Sequence, residues 1–171
     1  MTIVIEPSPV LHQVAQPVTV FDDALKATVT TMRQTMHAAN GMGLAAPQVG
    51  LSQQLCIIEY LPKDGEGKLI EADAIAFFAL ANPKITWQSA QQITMTEGCL
   101  SLPGLEGEVT RPKRLRVKGQ DETGNKLVIK ASGMLARILQ HEIDHLNGVL
   151  YDSKLNTGTQ LRPAQPDRKG V

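Results

Sequence analysis

The chain has no net charge and no long apolar run, and its first residues do not show the pattern expected of a secretion leader. Basic and acidic residues number 17 each, which argues against a protein that binds nucleic acid through its overall charge. No run of about 20 apolar residues is present, so a membrane-spanning helix is excluded. Residues 1–6 lack the basic start and apolar core of a secretion leader. We therefore expect a cytoplasmic protein with no membrane partner and no specific nucleic-acid binding.

Cysteine is also scarce, because Cys56 and Cys99 are the only two in the chain. In a cytoplasmic protein, burial or metal binding is favoured over a disulfide. Cys56 lies in an apolar run of β character, so we expect it to be buried. Cys99 stands between Gly98 and Leu100, just after a predicted strand. We expect an exposed thiol that a metal could deprotonate, with an inert buried cysteine as the alternative.

Residues 140–145 contain the pattern His-Glu-x-x-His. Residues four apart lie on one face of a helix, so His141 and His145 could bind one metal ion while Glu142 acts on a bound water. Ser132 is a suitable N-cap, and Gly148 suits the position just after a helix end. The alternative is a buried helix whose histidines make ordinary hydrogen bonds. Burying Glu142 without a partner would be costly, which favours the metal site.

Two histidines leave a catalytic site incomplete, since such sites use three protein ligands and keep a fourth position for water. No Glu follows Glu142, and Tyr151 occupies the position that a third histidine takes in one extended form of the motif. The third ligand must therefore come from upstream or be a downstream Asp.

The remaining pattern predicts an α+β protein. Asp22 should cap a helix that runs to about Asn40. Strands are predicted at 55–59, at 75–80 with a stop at Asn82-Pro83, at 85–94, and then at 109–111, 115–117, 127–129 and 149–151. Trp87 should have a packing role and not a functional one. We predict mostly antiparallel sheets packed around a central metal-binding helix, with an N-terminal helix. Residues 1–171 should form a single domain whose tail, from about 156, is flexible.

Three segments together resemble the signature motifs of peptide deformylases. They are Gly41-Met42-Gly43-Leu44-Ala45-Ala46-Pro47-Gln48, Glu97-Gly98-Cys99-Leu100-Ser101 and Gln140-His141-Glu142-Ile143-Asp144-His145, and their order and separation also match. From the residues alone, the first segment could equally be a plain loop, or a loop whose small residues leave room for a substrate and whose Gln48 polarises a carbonyl.

The resemblance implies that Cys99, His141 and His145 hold one divalent ion, commonly Fe²⁺, which Zn²⁺ or Ni²⁺ can replace. The implied reaction removes the formyl group from the N-terminal formylmethionine of newly made polypeptides and releases formate. Glu142 would be the base, while Gln48 and the Leu100 backbone N–H would stabilise the oxyanion. N-formylmethionyl peptides would be the substrates, and contact with the ribosome would be transient.

The resemblance also implies a pocket for the substrate. Arg137 departs from the usual apolar residue there, so we expect its stem over the pocket and its head in water. Glu97 should pair with Arg111. Pro163 and Pro166 disfavour the long basic C-terminal helix of some members. The implied substrate-binding residues are Met42, Gly43, Leu44, Glu97, Gly98, Met134, Arg137 and Ile138.

Two other functions remain open at this point. A metalloendopeptidase could use the same helix with a third ligand other than Cys99. A catalytically silent domain could bind formylated peptides without turnover. Formate release and internal peptide cleavage would distinguish these possibilities.

Overall fold

A computed structural model describes residues 1–164 and contains two helices and mostly antiparallel strands, which confirms the α+β prediction. Its helices are α1 (Asp23–Ala38) and α2 (Gly133–Leu146). The strands are β1 (Gly43–Ala45), β2 (Leu55–Tyr60), β3 (Ile75–Gln88), β4 (Gln92–Cys99), β5 (Leu102–Pro112), β6 (Arg114–Gln120), β7 (Lys126–Ser132) and β8 (Arg162–Pro163). Among the described residues, no helix has the length and apolar content needed to span a membrane.

The strands form two sheets that place α2 near the centre of the fold. One sheet has the order β1-β2-β3-β6-β7, and the other has the order β4-β5-β8. Along β2, Cys56 and Ile58 pack with the apolar side chains of α2, whereas Leu55 and Ile57 pack with those of α1. Because alternate residues of a strand point to opposite faces, the two helices cover opposite faces of the five-stranded sheet.

Both helices follow their predicted patterns. Asp22 Oδ1 accepts a hydrogen bond from Leu25 N at 3.0 Å, and the apolar stripe of α1 is buried. Ser132 is the N-cap residue of α2, but its hydroxyl makes no capping hydrogen bond, so that detail of the prediction is wrong. Gly148 has the expected left-handed backbone, with φ of 71°. A Cβ atom there would lie 2.6 Å from the carbonyl carbon of His12, so only glycine fits.

The predicted strand break at Asn82-Pro83 is wrong, because β3 continues through it. The register against β6 shifts between Ala81 and Lys84, and Asn82 has a left-handed φ of 51°. A bulge accommodates the proline, which has no N–H to donate to a sheet. The Asn82 side chain donates to the Val18 carbonyl at 2.9 Å and accepts from the Val18 N–H at 2.8 Å. The chain turns instead at residues 89–91, so the predicted strand at 85–94 is also divided.

Two further expectations fail near the surface and near the end of the chain. Trp87 is 50% exposed instead of packed. Residues 149–151 do not form a strand, since Tyr151–Lys154 is a 3-10 turn whose buried Tyr151 hydroxyl donates to the Leu105 carbonyl at 3.1 Å. In the tail, β8 pairs with β5 at Leu105 and Glu106. Pro166 lies outside the described residues, and the flexibility of the tail stays a prediction.

Candidate metal centre

Three potential metal ligands converge between β4 and α2. Cys99 Sγ lies 3.2 Å from His145 Nε2, which lies 3.2 Å from His141 Nε2. All three ligand atoms lie within 4.8 Å of one another. A tetrahedral ion with bonds of about 2.3 Å to sulfur and about 2.0–2.1 Å to nitrogen needs ligand atoms roughly 3.3–3.6 Å apart. The three side chains are therefore spaced for one small cation.

The Cys99 thiol is buried, so the expectation of an exposed thiol is wrong. Cys99 is 4% exposed, because the end of β4 places it in an apolar cluster with Leu102, Val109 and Tyr151. Burial raises the pKa of this thiol to about 12, although the Ser101 backbone N–H donates to the sulfur at 3.4 Å. A cation that binds here must displace the thiol proton, so metal binding should release protons.

The His141 ring is oriented by a buried carboxylate. His141 Nδ1 lies 2.9 Å from Glu97 Oε2, so Nδ1–H donates to that carboxylate and Nε2 is left to face His145 Nε2 at 3.2 Å. Burial opposes ionisation of Glu97, but hydrogen bonds from Arg111 and His141 hold its pKa well below the usual range. Glu97 is therefore an anion that fixes the ring tautomer.

Glu97 also binds two guanidinium groups. Arg111 donates through Nε and Nη2 at 2.6 and 2.8 Å, as predicted for this pair. Arg137 donates through Nη1 at 2.6 Å. The expectation that the Arg137 head lies in water is wrong, since the residue is 2% exposed. Its other contacts are the carbonyls of Val109 and Ile93, at 3.0 and 2.7 Å.

Glu142 is buried beside this centre without a hydrogen-bond partner among the described residues. Burial raises the pKa of its carboxyl well above the usual value, and the negative charge of Glu97 adds to this. Gly43 leaves the space that Glu142 occupies, because a Cβ atom on Gly43 would lie 2.3 Å from Glu142 Oε1. A buried carboxyl with free oxygens and a raised pKa is suited to exchange a proton with a bound molecule.

The Gln48 side chain contacts Cys99. Its Oε1 accepts from the Ala45 N–H at 2.8 Å, which leaves the Nε2 donor to face the Cys99 sulfur and the Ser101 hydroxyl, both at 3.4 Å. Leu100 follows Cys99 directly and borders a cavity of about 390 Å³ together with Gly98. An amide donor and an open space thus meet next to the three ligands.

The other predicted substrate residues do not share one surface. Met42 and Ile138 pack in one apolar cluster with α2, and Met134 lies partly buried against it. Leu44 points to the opposite face of the sheet and packs with α1, so its side chain does not face the ligands. The Glu97 carboxylate and the Arg137 guanidinium belong to the buried ion cluster that they form with Arg111.

Three residues near the centre were not predicted. Ser101 contacts both Gln48 and the Cys99 sulfur. Asp144 accepts from Arg111 at 2.6 Å and from Lys154 at 2.9 Å, which extends the ion cluster to the surface. The Tyr151 ring lies 6.0 Å from the His141 ring. Ser101 and Asp144 lie inside the sequence motifs, so their positions could have indicated that they lie near the metal centre. Tyr151 lies outside the motifs, and only the folding of the chain brings it to His141.

The donor set fits a divalent transition metal. A thiol and two imidazoles are ligands that first-row metals such as Fe²⁺, Ni²⁺ and Zn²⁺ accept. The oriented Nε2 of His141 and the unpartnered Glu142 oxygens have no role that packing alone explains. Three protein ligands, a neighbouring carboxyl and an adjacent cavity are what a metal-dependent hydrolase requires.

Comparisons with known proteins agree with this class. A sequence profile described as polypeptide deformylase matches residues 1–160. Peptide deformylases of Symbiobacterium thermophilum and Chloroflexus aggregans are 44% and 42% identical, over 98% and 94% of this chain and 70% and 87% of theirs. A Synechococcus elongatus peptide deformylase, solved in complex with actinonin, has a TM-score of 0.81 at 39% identity and covers 92% of this chain and 79% of its own.

The chain belongs to the polypeptide deformylase family. It is an enzyme, a metal-dependent hydrolase that removes the N-terminal formyl group of polypeptides.

Proposed function

We propose that Cys99, His141 and His145 hold the divalent ion and that Glu142 is the general base of deformylation. The observation that carries this proposal is the buried Glu142 carboxyl, which has no partner among the described residues and stands beside three converging ligand atoms. Because burying a carboxyl without a partner costs stability, its position favours a role in proton transfer.

Cys99, His141 and His145 would hold the divalent ion, which when bound would supply Lewis acidity for a water molecule and the formyl carbonyl. Glu142 would take one proton from the attacking water as the water oxygen adds to the formyl carbon. Gln48 Nε2 and the Leu100 backbone N–H donate to the carbonyl oxygen as negative charge develops on it. Glu142 then gives its proton to the departing nitrogen. One water molecule is added across the broken C–N bond, which gives formic acid and a free amine. The formic acid passes the second water proton to the amine, so formate and an ammonium group are the final products.

For the substrate, we propose N-formylmethionyl peptides that enter through the cavity beside Gly98 and Leu100. Met42 and Ile138 belong to the apolar cluster nearest to Glu142 and are suited to the methionine side chain. Gly43 must stay a glycine so that the Glu142 carboxyl keeps its place. Met134, at the edge of the same cluster, would border the pocket.

Arg137 acts in this proposal as a positioning residue and not as part of the pocket wall. It shares the Glu97 carboxylate with Arg111, and that carboxylate orients His141. Partners behind a metal ligand fix its tautomer and raise its basicity. The second guanidinium also balances the charge that Glu97 carries in the interior.

The identity of the ion and the place of action are further parts of the proposal. Fe²⁺ is our choice for the native ion because of the family resemblance, and Zn²⁺ or Ni²⁺ suits the same ligands. Metal analysis of anaerobically purified protein, with formate release measured on the same sample, tests this choice. Residues 1–171 would act as one domain in the cytoplasm, with transient contact to the ribosome where formylated N-termini are made.

Glu142→Gln is the direct test of the assigned base, because it keeps the shape and removes the proton acceptor. Formate release from formyl-Met-Ala-Ser should fall by about 10²- to 10⁴-fold, while metal content stays at the wild-type level. The exposed Glu108 on β5 provides the control, since Glu108→Gln should leave both quantities unchanged. Normal formate release by Glu142→Gln would refute the role of Glu142. Cleavage of internal peptide bonds would favour the endopeptidase instead.

A further inference from the structure

On β3, β6 and β7, the side of the five-stranded sheet that faces away from α2 carries a concentration of positive charge. The strands β3, β6 and β7 contain no Asp or Glu. Six basic residues on them are exposed and form what we call the basic face, although the whole chain has 17 residues of each sign. The residues of the basic face are Lys84, Arg114, Arg116, Lys118, Lys126 and Lys130.

Strand pairing places these residues side by side. Lys84 pairs with Lys118, and Arg116 pairs with Lys130, and paired residues of antiparallel strands project to the same side. On β6, exposed basic residues alternate with the buried Leu115 and Val117. Alternate residues of a strand lie about 6.8 Å apart and neighbouring strands about 4.8 Å apart. These spacings are below the screening length of about 8 Å at physiological salt, so the fields of the six charges add.

These charges are not neutralised within the described part of the chain. Ion pairs form with Lys26, Arg33, Arg111, Arg137, Lys154 and Arg162, and none forms with a member of the basic face. The nearest acidic turn holds Asp121, whose carboxylate accepts from Thr123 and Asn125 instead. Because like charges at this spacing repel, the face favours binding of an anionic partner.

The exposed Trp87 belongs to the same face. It pairs with Arg116 across β3 and β6, and it borders a depression of about 260 Å³ together with Arg114 and Lys130. A second depression of about 440 Å³ follows, bordered by Lys84, Lys118 and Lys126. An exposed aromatic ring beside guanidinium groups is a platform on which an unpaired base can stack.

We propose that the basic face binds single-stranded RNA without sequence specificity, through phosphate contacts with the six cations and base stacking on Trp87. Trp87 and Val128 are the only large apolar side chains exposed on these three strands, which is little for insertion into a membrane. RNA is preferred over DNA because formylated N-termini are made where RNA is the abundant polyanion, and this choice alone rests on the proposed function.

The position of the face is compatible with activity in the bound state. The basic side chains project on the α1 side of the sheet, whereas α2 and its histidines pack against the opposite side. The cavity beside Leu100 is bordered by none of the basic residues. RNA bound to the sheet would therefore hold the enzyme while the cavity stays open to a peptide.

The sole tryptophan of the chain makes the test direct, because it lies on the face itself. Oligo(U) should quench Trp87 fluorescence, and log K should fall with log salt by about 0.7 per phosphate contacted. Arg116→Gln/Lys130→Gln should lower the salt slope by about 1.4 and weaken binding severalfold. Lys63→Gln/Lys68→Gln, which removes two exposed cations elsewhere, should change neither quantity. Formate release from formyl-Met-Ala-Ser should be the same in both variants.

Three results would overturn the proposal. One is equal oligo(U) affinity in the two double variants. Another is oligo(U) binding that does not weaken with added salt, which would remove the phosphate contacts. The third is binding of phosphatidylserine vesicles without binding of oligo(U), which would assign the face to a membrane surface. These measurements use the intact enzyme and do not depend on its turnover, so failure of the RNA proposal leaves the proposed deformylation untouched.

Discussion

Replacing Arg137 by methionine separates the two positions considered for its side chain. If the Arg137 stem covered a pocket and its guanidinium lay in water, Met would supply a similar stem. The free energy of unfolding would then change by no more than about 0.5 kcal/mol. In the structure, the head donates to Glu97, Val109 and Ile93 in the interior. Arg137→Met therefore deprives a buried carboxylate and two carbonyls of a donor.

The contacts of Arg137 in the structure determine how much stability the Arg137→Met variant should lose. Breaking a buried ion pair by removing one partner costs about 3–5 kcal/mol. Arg111 still donates twice to Glu97 in the variant, so we expect the lower end, about 3 kcal/mol. For a domain of this size each kcal/mol corresponds to about 2–4 °C, which predicts a fall in Tm of about 6–12 °C. Because Glu97 orients His141, metal affinity should also fall by about 10- to 100-fold.

Denaturant unfolding at saturating metal and metal titration of the chelator-treated protein measure the two effects. Arg137→Lys is the matched variant, since it keeps the charge but not the planar fork of donors, and it should recover only part of both losses. A purely structural role would lower stability and leave metal affinity unchanged. Wild-type stability together with altered selectivity for the first substrate side chain would refute the buried ion cluster and restore the pocket role.

Two further predictions follow from single contacts. Gly43→Ala should reduce formate release by at least about tenfold with metal content retained. The new Cβ atom would lie 2.3 Å from Glu142 Oε1, and a displaced base is inefficient. Wild-type kinetics would show that the backbone at residue 43 shifts to accommodate the Cβ atom. Glu59→Gln should destabilise the fold at pH 7, since hydrogen bonds from Arg33 and His37 overcome burial and lower the pKa of Glu59. That difference should shrink as pH falls below the ordinary value near 4.5 toward the lowered pKa, and a constant difference across this range in denaturant unfolding would contradict it.

The helical periodicity of residues 133–146 concerns Arg137 as well as the two histidines. His141 and His145 are four residues apart, and Arg137 is four residues before His141, so all three lie in one row on α2. The row faces the interior, and Arg137 is buried there with a partner for its guanidinium group. The identity of that partner, Glu97 on β4, could not be read from spacing along the chain.

The proposed third ligand, Cys99, shows a different limit of local reasoning. From the residues alone, the histidine pair indicated a metal and left its third ligand open, and only the family resemblance pointed to Cys99. The burial of Cys99 follows from the pairing of β4 with β5 and from the packing of Tyr151 and Leu150 in the same cluster. Contacts between residues more than 40 positions apart depend on how the sheets pack, which short motifs do not encode.

The net charge of the whole chain does not show how charge is distributed over the protein surface. The balance of 17 basic and 17 acidic residues argued against electrostatic binding of nucleic acid. Strand pairing gathers six of the basic residues on one face, on three strands that contain no Asp or Glu. Composition cannot show this separation, because the position of a charge is set by register and by the alternation of strand residues.

The sequence by itself determined the α+β class, the apolar faces of both helices and the histidine pair with its carboxylate. These features depend on spacing within one element, where helix and strand geometry is nearly constant. The tertiary structure alone decided that a β4 sulfur joins the α2 imidazoles, that two arginines share Glu97, and that β3 passes through its proline at a bulge. Each of these depends on long-range packing and register, which arise only when distant parts of the chain compete for the same buried space.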